Sequence, residues 1–148
     1  MIMKEKMMRA IVLTAGLLCL LWAVPVLSQT TDSDAALGEK LVRQIFASPT
    51  SAKLAGGFQS VHHDGARDYR AEKKRLAEID VSNYTLSNFK VTREADTLVV
   101  TYMFTGQVAI GDKQGGPAPS PRMSVFIKRG KTWLWLAHAN LVNWNPKK

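Results

Sequence analysis

The sequence predicts an α+β domain in which helices pack on one face of a curved antiparallel sheet. Three observations carry this. Two β-rich runs, residues 122–128 and 132–142, flank the turn Arg129-Gly130-Lys131 and read as a closing hairpin. Two more runs, residues 84–92 and 97–107, flank Arg93-Glu94-Ala95-Asp96 and read as a second strand pair. Ahead of them, Leu37, Leu41, Val42, Ile45 and Phe46 recur at the spacing of one helix face.

Residues 1–28 read as an export signal. Lys4, Lys6 and Arg9 form a positive start, residues 10–24 an apolar stretch containing Leu17, Leu18, Leu20 and Leu21, and Val26-Leu27-Ser28 a processing position before Gln29. At about 15 residues the apolar stretch is short for a membrane span. Residues 29–148 are then expected to form one domain, periplasmic or secreted, with the export signal as its only membrane association. The single cysteine, Cys19, falls inside the signal. The exported part therefore has no thiol, which excludes cysteine catalysis and leaves stability to the core alone.

Asp32, Ser33 or Asp34 is placed to cap the first helix, and Pro49 stops it. Residues 50–55 continue as a short second helix that Gly56-Gly57 breaks. Phe58-Gln59-Ser60-Val61-His62 then alternates as a brief strand, with His63-Asp64-Gly65 as its turn. Residues 66–79 read as a charged helix, with Tyr69, Leu76 and Ile79 as apolar contacts and Glu72, Lys73, Lys74 and Arg75 in water. The strand over 97–107 sets Leu98, Val100, Tyr102 and Phe104 against Val99, Thr101, Met103 and Thr105. With both faces largely apolar, it belongs in the middle of the sheet. Residues 111–121, with Gly111, Gly115, Gly116, Pro117, Pro119 and Pro121, read as a surface loop.

The formal net charge is +8, two of it from Lys4, Lys6 and Arg9 against Glu5. The rest is scattered. The densest run, residues 70–75, is interrupted by Ala71 and Glu72 and has no aromatic residue interleaved for base stacking. A solvated helix face accounts for it, and no nucleic-acid partner is expected.

Pro119-Ser120-Pro121-Arg122-Met123-Ser124-Val125-Phe126, followed by Trp133-Leu134-Trp135-Leu136-Ala137-His138-Ala139-Asn140, resembles a known closing hairpin with its tryptophan and following histidine. It is that of the nuclear transport factor 2-like superfamily and, within it, of the SnoaL-like exported proteins of bacteria. Phe58-Gln59-Ser60-Val61-His62-His63-Asp64-Gly65 looks like the family's short strand and turn. Leu86-Ser87-Asn88-Phe89-Lys90-Val91 and Leu98-Val99-Val100-Thr101-Tyr102 are similar to its middle strands. The resemblance runs over nearly all of residues 29–148. It implies a cone: a curved antiparallel sheet wrapped around N-terminal helices, an internal pocket between them, and a homodimer through the outer sheet face. Relatives sharing the cone include isomerases, cyclases, dehydratases and proteins with no chemistry, so fold alone selects no function.

The second strand of the hairpin sets Trp135, His138 and Asn140 among apolar neighbours, as a cavity wall does. His138 leads the catalytic candidates, because a neutral imidazole in mid-strand can act as general base or bond a ligand near pH 7. A core histidine bonded to a neighbour is the plain alternative, and no carboxylate close in sequence orients it. If Lys128 pairs with Thr132, Arg122, Ser124 and Phe126 share a face with Leu134, Leu136, His138 and Asn140. That register groups Arg122, Ser124, His138 and Asn140 for an oxygen-rich or anionic group, and a one-residue slip reverses it. Tyr102 adds a phenol from the adjoining strand, as a hydrogen-bond donor or as packing. Tyr84 carries the same ambiguity. His63 and Asp64 at the turn complete the ligand-binding set. His62-His63-Asp64 lacks the spacing of a closed metal site, since neighbouring strand residues point to opposite faces, so neither metal nor cofactor is expected.

Proton shuttling of the ketosteroid isomerase type needs a carboxylate base in the pocket. Residues 98–110 and 123–142 contain no Asp or Glu, which leaves Asp64, Asp68 or Glu72. The first reading is therefore a small-molecule-binding domain with a partly apolar pocket lined by Tyr102, Trp135, His138 and Asn140. The alternatives are a lyase, isomerase or cyclase with His138 as general base and Tyr102 as donor, and a non-catalytic dimerisation module.

Overall fold

The computed structural model describes residues 31–115 and 118–141. Residues 1–28, expected to be an export signal and containing Cys19, the expected processing position before Gln29, and Val142 lie outside them. Helix α1, Asp32–Ala47, is capped by Thr31 and not by one of the three residues after it. Thr31 is extended, and its hydroxyl accepts from the Asp34 backbone N–H at 3.2 Å. The buried Asp34 side chain instead takes a 2.8 Å bond from Arg93 Nη1. Gly38 lets the helix sit close to the sheet, since a Cβ there would lie 2.7 Å from Val91 Cγ2.

A 3₁₀ turn at Pro49–Ser51 replaces the second helix expected over 50–55. Strand β1, Leu54–His62, begins before the glycine pair. Leu54 is already paired in parallel with Trp135, and Gly56-Gly57 fall in the register shift between Leu54 and Gln59, so they form an irregularity in a strand and end no helix. β1 turns back into β2, Gly65–Asp68, with Gln59 opposite Asp68. This hairpin takes the first residues of the helix expected over 66–79. Asp68 accepts from the Ala71 N–H at 2.9 Å and so starts helix α2, Tyr69–Glu78, later than the charge pattern indicates.

Strands β3, Ile79–Glu94, and β4, Thr97–Ile110, form a long antiparallel pair with two register shifts in β3. Asn83 and Asn88 occupy those shifts at φ 47° and 55°, a left-handed conformation that asparagine tolerates, and the resulting bulges bend the strand. β5, Lys113–Gly115, runs back along β4 where a plain loop was expected. Pro121 is the second residue of β6, Ser120–Arg129, at the strand start where a missing N–H is tolerated. β7, Thr132–Asn140, completes the hairpin.

The sheet order is β2-β1-β7-β6-β4-β3, with β5 added to β4. Among the described strands, only β1 and β7 pair in parallel. β4 lies inside the sheet, as its two apolar faces require, and it buries Leu98, Val100, Tyr102 and Phe104. Helix α1 packs on β3 and β4, and α2 on β1 and β2. Val42, Leu76, Leu86, Val91, Phe58 and Phe126 join the buried β4 residues in one core, giving the expected α+β cone.

Candidate functional site

Strand alternation in β1 turns Phe58, Ser60 and His62 inward, and all three are buried. On α2 the inward stripe is Glu72 and Leu76, one turn apart. Glu72 is 0% exposed, although the surrounding run of charge places it in water. Ser60 Oγ donates to Glu72 Oε2 at 2.9 Å, and Arg75 Nη1 donates to Oε1 at 3.2 Å. His62 Nε2 stands 3.3 Å from Oε2, within ion-pair distance but without the alignment of a hydrogen bond. Burial pushes the Glu72 carboxyl up, but His62, Arg75 and Ser60 together outweigh it and hold the group at about 2. The carboxylate is ionised at neutral pH and enclosed by its partners.

The closing hairpin has two registers. Near the turn Lys128 faces Trp133 and Phe126 faces Trp135, whereas farther along Ser124 faces His138 and Arg122 faces Asn140. Leu136 is the extra residue at the shift between them. The expected grouping of Arg122 and Ser124 with His138 and Asn140 is therefore present, but Phe126 shares its face with Trp135, and Leu134 lies opposite Ile127. Tyr102 Oη and Ser124 Oγ are 3.3 Å apart, as are Ser124 Oγ and His138 Nδ1, so the three form a buried chain across β4, β6 and β7. The His138 ring lies 5.5 Å from that of His62 and 5.1 Å from that of Trp135.

Tyr102, Ser124 and His138 are neutral at neutral pH. Burial, aided by the nearby Arg122 charge, depresses His138 well below the ordinary imidazole value. Burial likewise raises the Tyr102 phenol to about 12. Arg122 is lowered by burial to about 10 and stays protonated, its guanidinium lying 4.0 Å over the Phe104 ring.

A pocket of about 830 Å³ opens between α2, the β1-β2 turn and the ends of β4, β6 and β7. Phe104, Val108 and Ile110 give it an apolar wall, while Arg67, Lys74, Arg75 and Arg122 bring positive charge against Asp64 and Glu78. Arg67 Nη2 is held by Asp64 at 2.7 Å, and Arg75 by Glu72. Each of three guanidinium groups nevertheless keeps a buried nitrogen with no acceptor among the described residues: Arg67 Nη1, Arg75 Nε and Arg122 Nε.

Crystal structures of several other proteins share this architecture. An NTF2-like protein from Cytophaga hutchinsonii superimposes with TM-score 0.62 at 13% identity, covering 75% of this chain and 98% of its own. The chain has the nuclear transport factor 2-like fold. An NTF2-like protein of unknown function in nutrient uptake from Rhodospirillum rubrum matches with TM-score 0.62 at 18% identity, over 75% of this chain and 99% of that one. The S. rosetta CaMKII hub matches with TM-score 0.52 at 15% identity, over 76% and 98%. No protein-family model and no curated protein matches the chain.

Within this NTF2-like fold the sequence candidates divide. Arg122, Asn140, His63 and Asp64 line the pocket. Tyr102, Ser124 and His138 form the buried chain and are not among its lining residues. Trp135 packs between Phe58 and His138, its ring 5.1 Å from each, and lines a separate cleft. Sequence reasoning missed Ser60, Arg67 and Arg75, and it named Glu72 as one of three possible carboxylates while placing it in water. The signal for Glu72 was its place four residues before Leu76, and for Ser60 its place two after Phe58. Among the described residues no group of three or more His, Asp or Glu could hold a metal ion.

Proposed function

We propose that this chain is an exported, SnoaL-like domain that holds a small, partly apolar molecule with an acidic head in the pocket beside α2. One observation carries the reading: Arg67, Arg75 and Arg122 line a cavity that also has an apolar wall, and each keeps a buried N–H group without an acceptor among the described residues. A desolvated donor left unmade is costly, and a ligand oxyanion is the natural partner of a guanidinium fork. Arg122, Asn140, His63 and Asp64 contact the ligand, and the neutral Tyr102, Ser124 and His138 hold the wall behind Arg122.

The binding reading is favoured over a lyase, isomerase or cyclase because the candidate bases are enclosed. Glu72 is sealed by Ser60, His62 and Arg75, and His138 is buried away from the cavity with a depressed affinity for protons. The signal at residues 1–28 directs the domain to the periplasm or the medium. A homodimer forms through the outer sheet face, where Val99, Val125 and Ala137 stand side by side, with Met123 and Ala139 beside them, all only partly buried.

Native mass spectrometry of protein recovered from the exported fraction tests all parts together. The expected result is a dimer of chains beginning at Gln29 with an acidic adduct that Arg122→Gln releases. An empty protein, or an adduct retained by that variant, rejects the site.

A further inference from the structure

A separate cleft of about 680 Å³ lies between α1, residues 48–53 and the turn end of the β6-β7 hairpin. It shares no lining residue with the pocket beside α2. Leu37, Leu41 and Ile45 project from one face of α1 opposite Phe126, Trp133 and Trp135, so both long walls are apolar. Three ammonium groups, those of Lys40, Lys53 and Lys131, also line it, with no acidic residue among the lining residues. Trp135 is 4% exposed, and its indole N–H has no acceptor among the described residues. An apolar slot with unbalanced positive charge and a desolvated donor is complementary to one chemical class.

We infer that this cleft is a second binding site, for an organic acid with an apolar body. The body lies between the indole rings and the leucines of α1, its oxygens accept from the Trp135 N–H, and the lysines balance its charge. This site is independent of the proposed pocket beside α2.

Calorimetric titration of the purified full chain with octanoate, and with octanol as the neutral counterpart, tests the inference. Octanoate is expected to bind saturably, with octanol about tenfold weaker. Trp135→Phe keeps the ring packing on Phe58 but removes the N–H, and it is expected to weaken octanoate about fivefold. The surface double variant Lys40→Gln/Lys131→Gln, which leaves the core untouched, is expected to do the same and to reduce the salt dependence to what Lys53 alone supplies. Equal binding of octanol, unchanged affinity in both variants, or a loss confined to Arg122→Gln would overturn the second site, the last by placing the acid in the first pocket.

Discussion

Ser124 Oγ meets His138 Nδ1 at 3.3 Å because the hairpin gains one residue at Leu136. Without that bulge the pairing found near the turn would continue, and the histidine would leave the face that carries Ser124 and Tyr102. Ser124 is the middle of the chain and is fully buried. Ser124→Ala should therefore cost about 1–3 kcal/mol, since it strands the phenol and the imidazole. Urea denaturation reads this, and a loss under about 0.3 kcal/mol would show that the chain is not cohesive.

Glu72 offers a stability test with a defined pH window. Its folded value of about 2 lies below the ordinary 4.5, so its contribution is fully present above pH 4.5 and is lost as pH falls toward 2. The corresponding stabilisation is on the order of 3 kcal/mol. Glu72→Gln leaves the Arg75 guanidinium without its counter-charge and should cost about 3–5 kcal/mol at neutral pH. It should also flatten the acid limb of the stability curve. An unchanged limb in a folded variant would place the carboxylate in water.

His138 should stay neutral well below pH 6.5, because burial opposes its charging. Its depressed folded value means that stability contributed above pH 6.5 is lost as pH falls below that value. Imidazole NMR resonances assigned through His138→Gln should show no titration between about pH 6 and 8. A midpoint near 6.5 would contradict the burial.

Gly38 tests the seating of α1 on the sheet. Gly38→Ala puts a methyl against Val91 and Val100 at distances too short to hold, so it should destabilise by about 1–3 kcal/mol despite alanine's better helix propensity. A stabilised variant would mean that the helix stands farther off.

The fold was legible where pattern and burial agree. Alternation in β4 revealed its two faces, and apolar spacing revealed α1. Glu72 was not, because six consecutive residues dominated by charge read as a solvated face, while the local stripe running from Glu72 to Leu76 decides burial. The register of the hairpin was only half legible, since an extra residue inside a strand leaves no mark in composition. Gly56-Gly57 misled for a related reason: glycine serves a strand irregularity as readily as a helix end. Arg122 and Asn140 were placed together by alternation at the strand ends, but Arg67 and Arg75 come from a hairpin and a helix that only tertiary packing brings to them.

The central claim is that the pocket beside α2 takes an anion through Arg122 and its neighbours. The most direct measurement is the thermal midpoint of the purified protein against a panel of small organic acids and their matched neutral amides, with Arg122→Gln in parallel. A ligand that binds only the folded state at a hundred times its Kd stabilises by about 2.7 kcal/mol, well within reach of a melting experiment. Acids that raise the midpoint while their amides do not, with the response lost in Arg122→Gln, are the predicted result. Equal responses to acids and amides, or a full response in the variant, would contradict it.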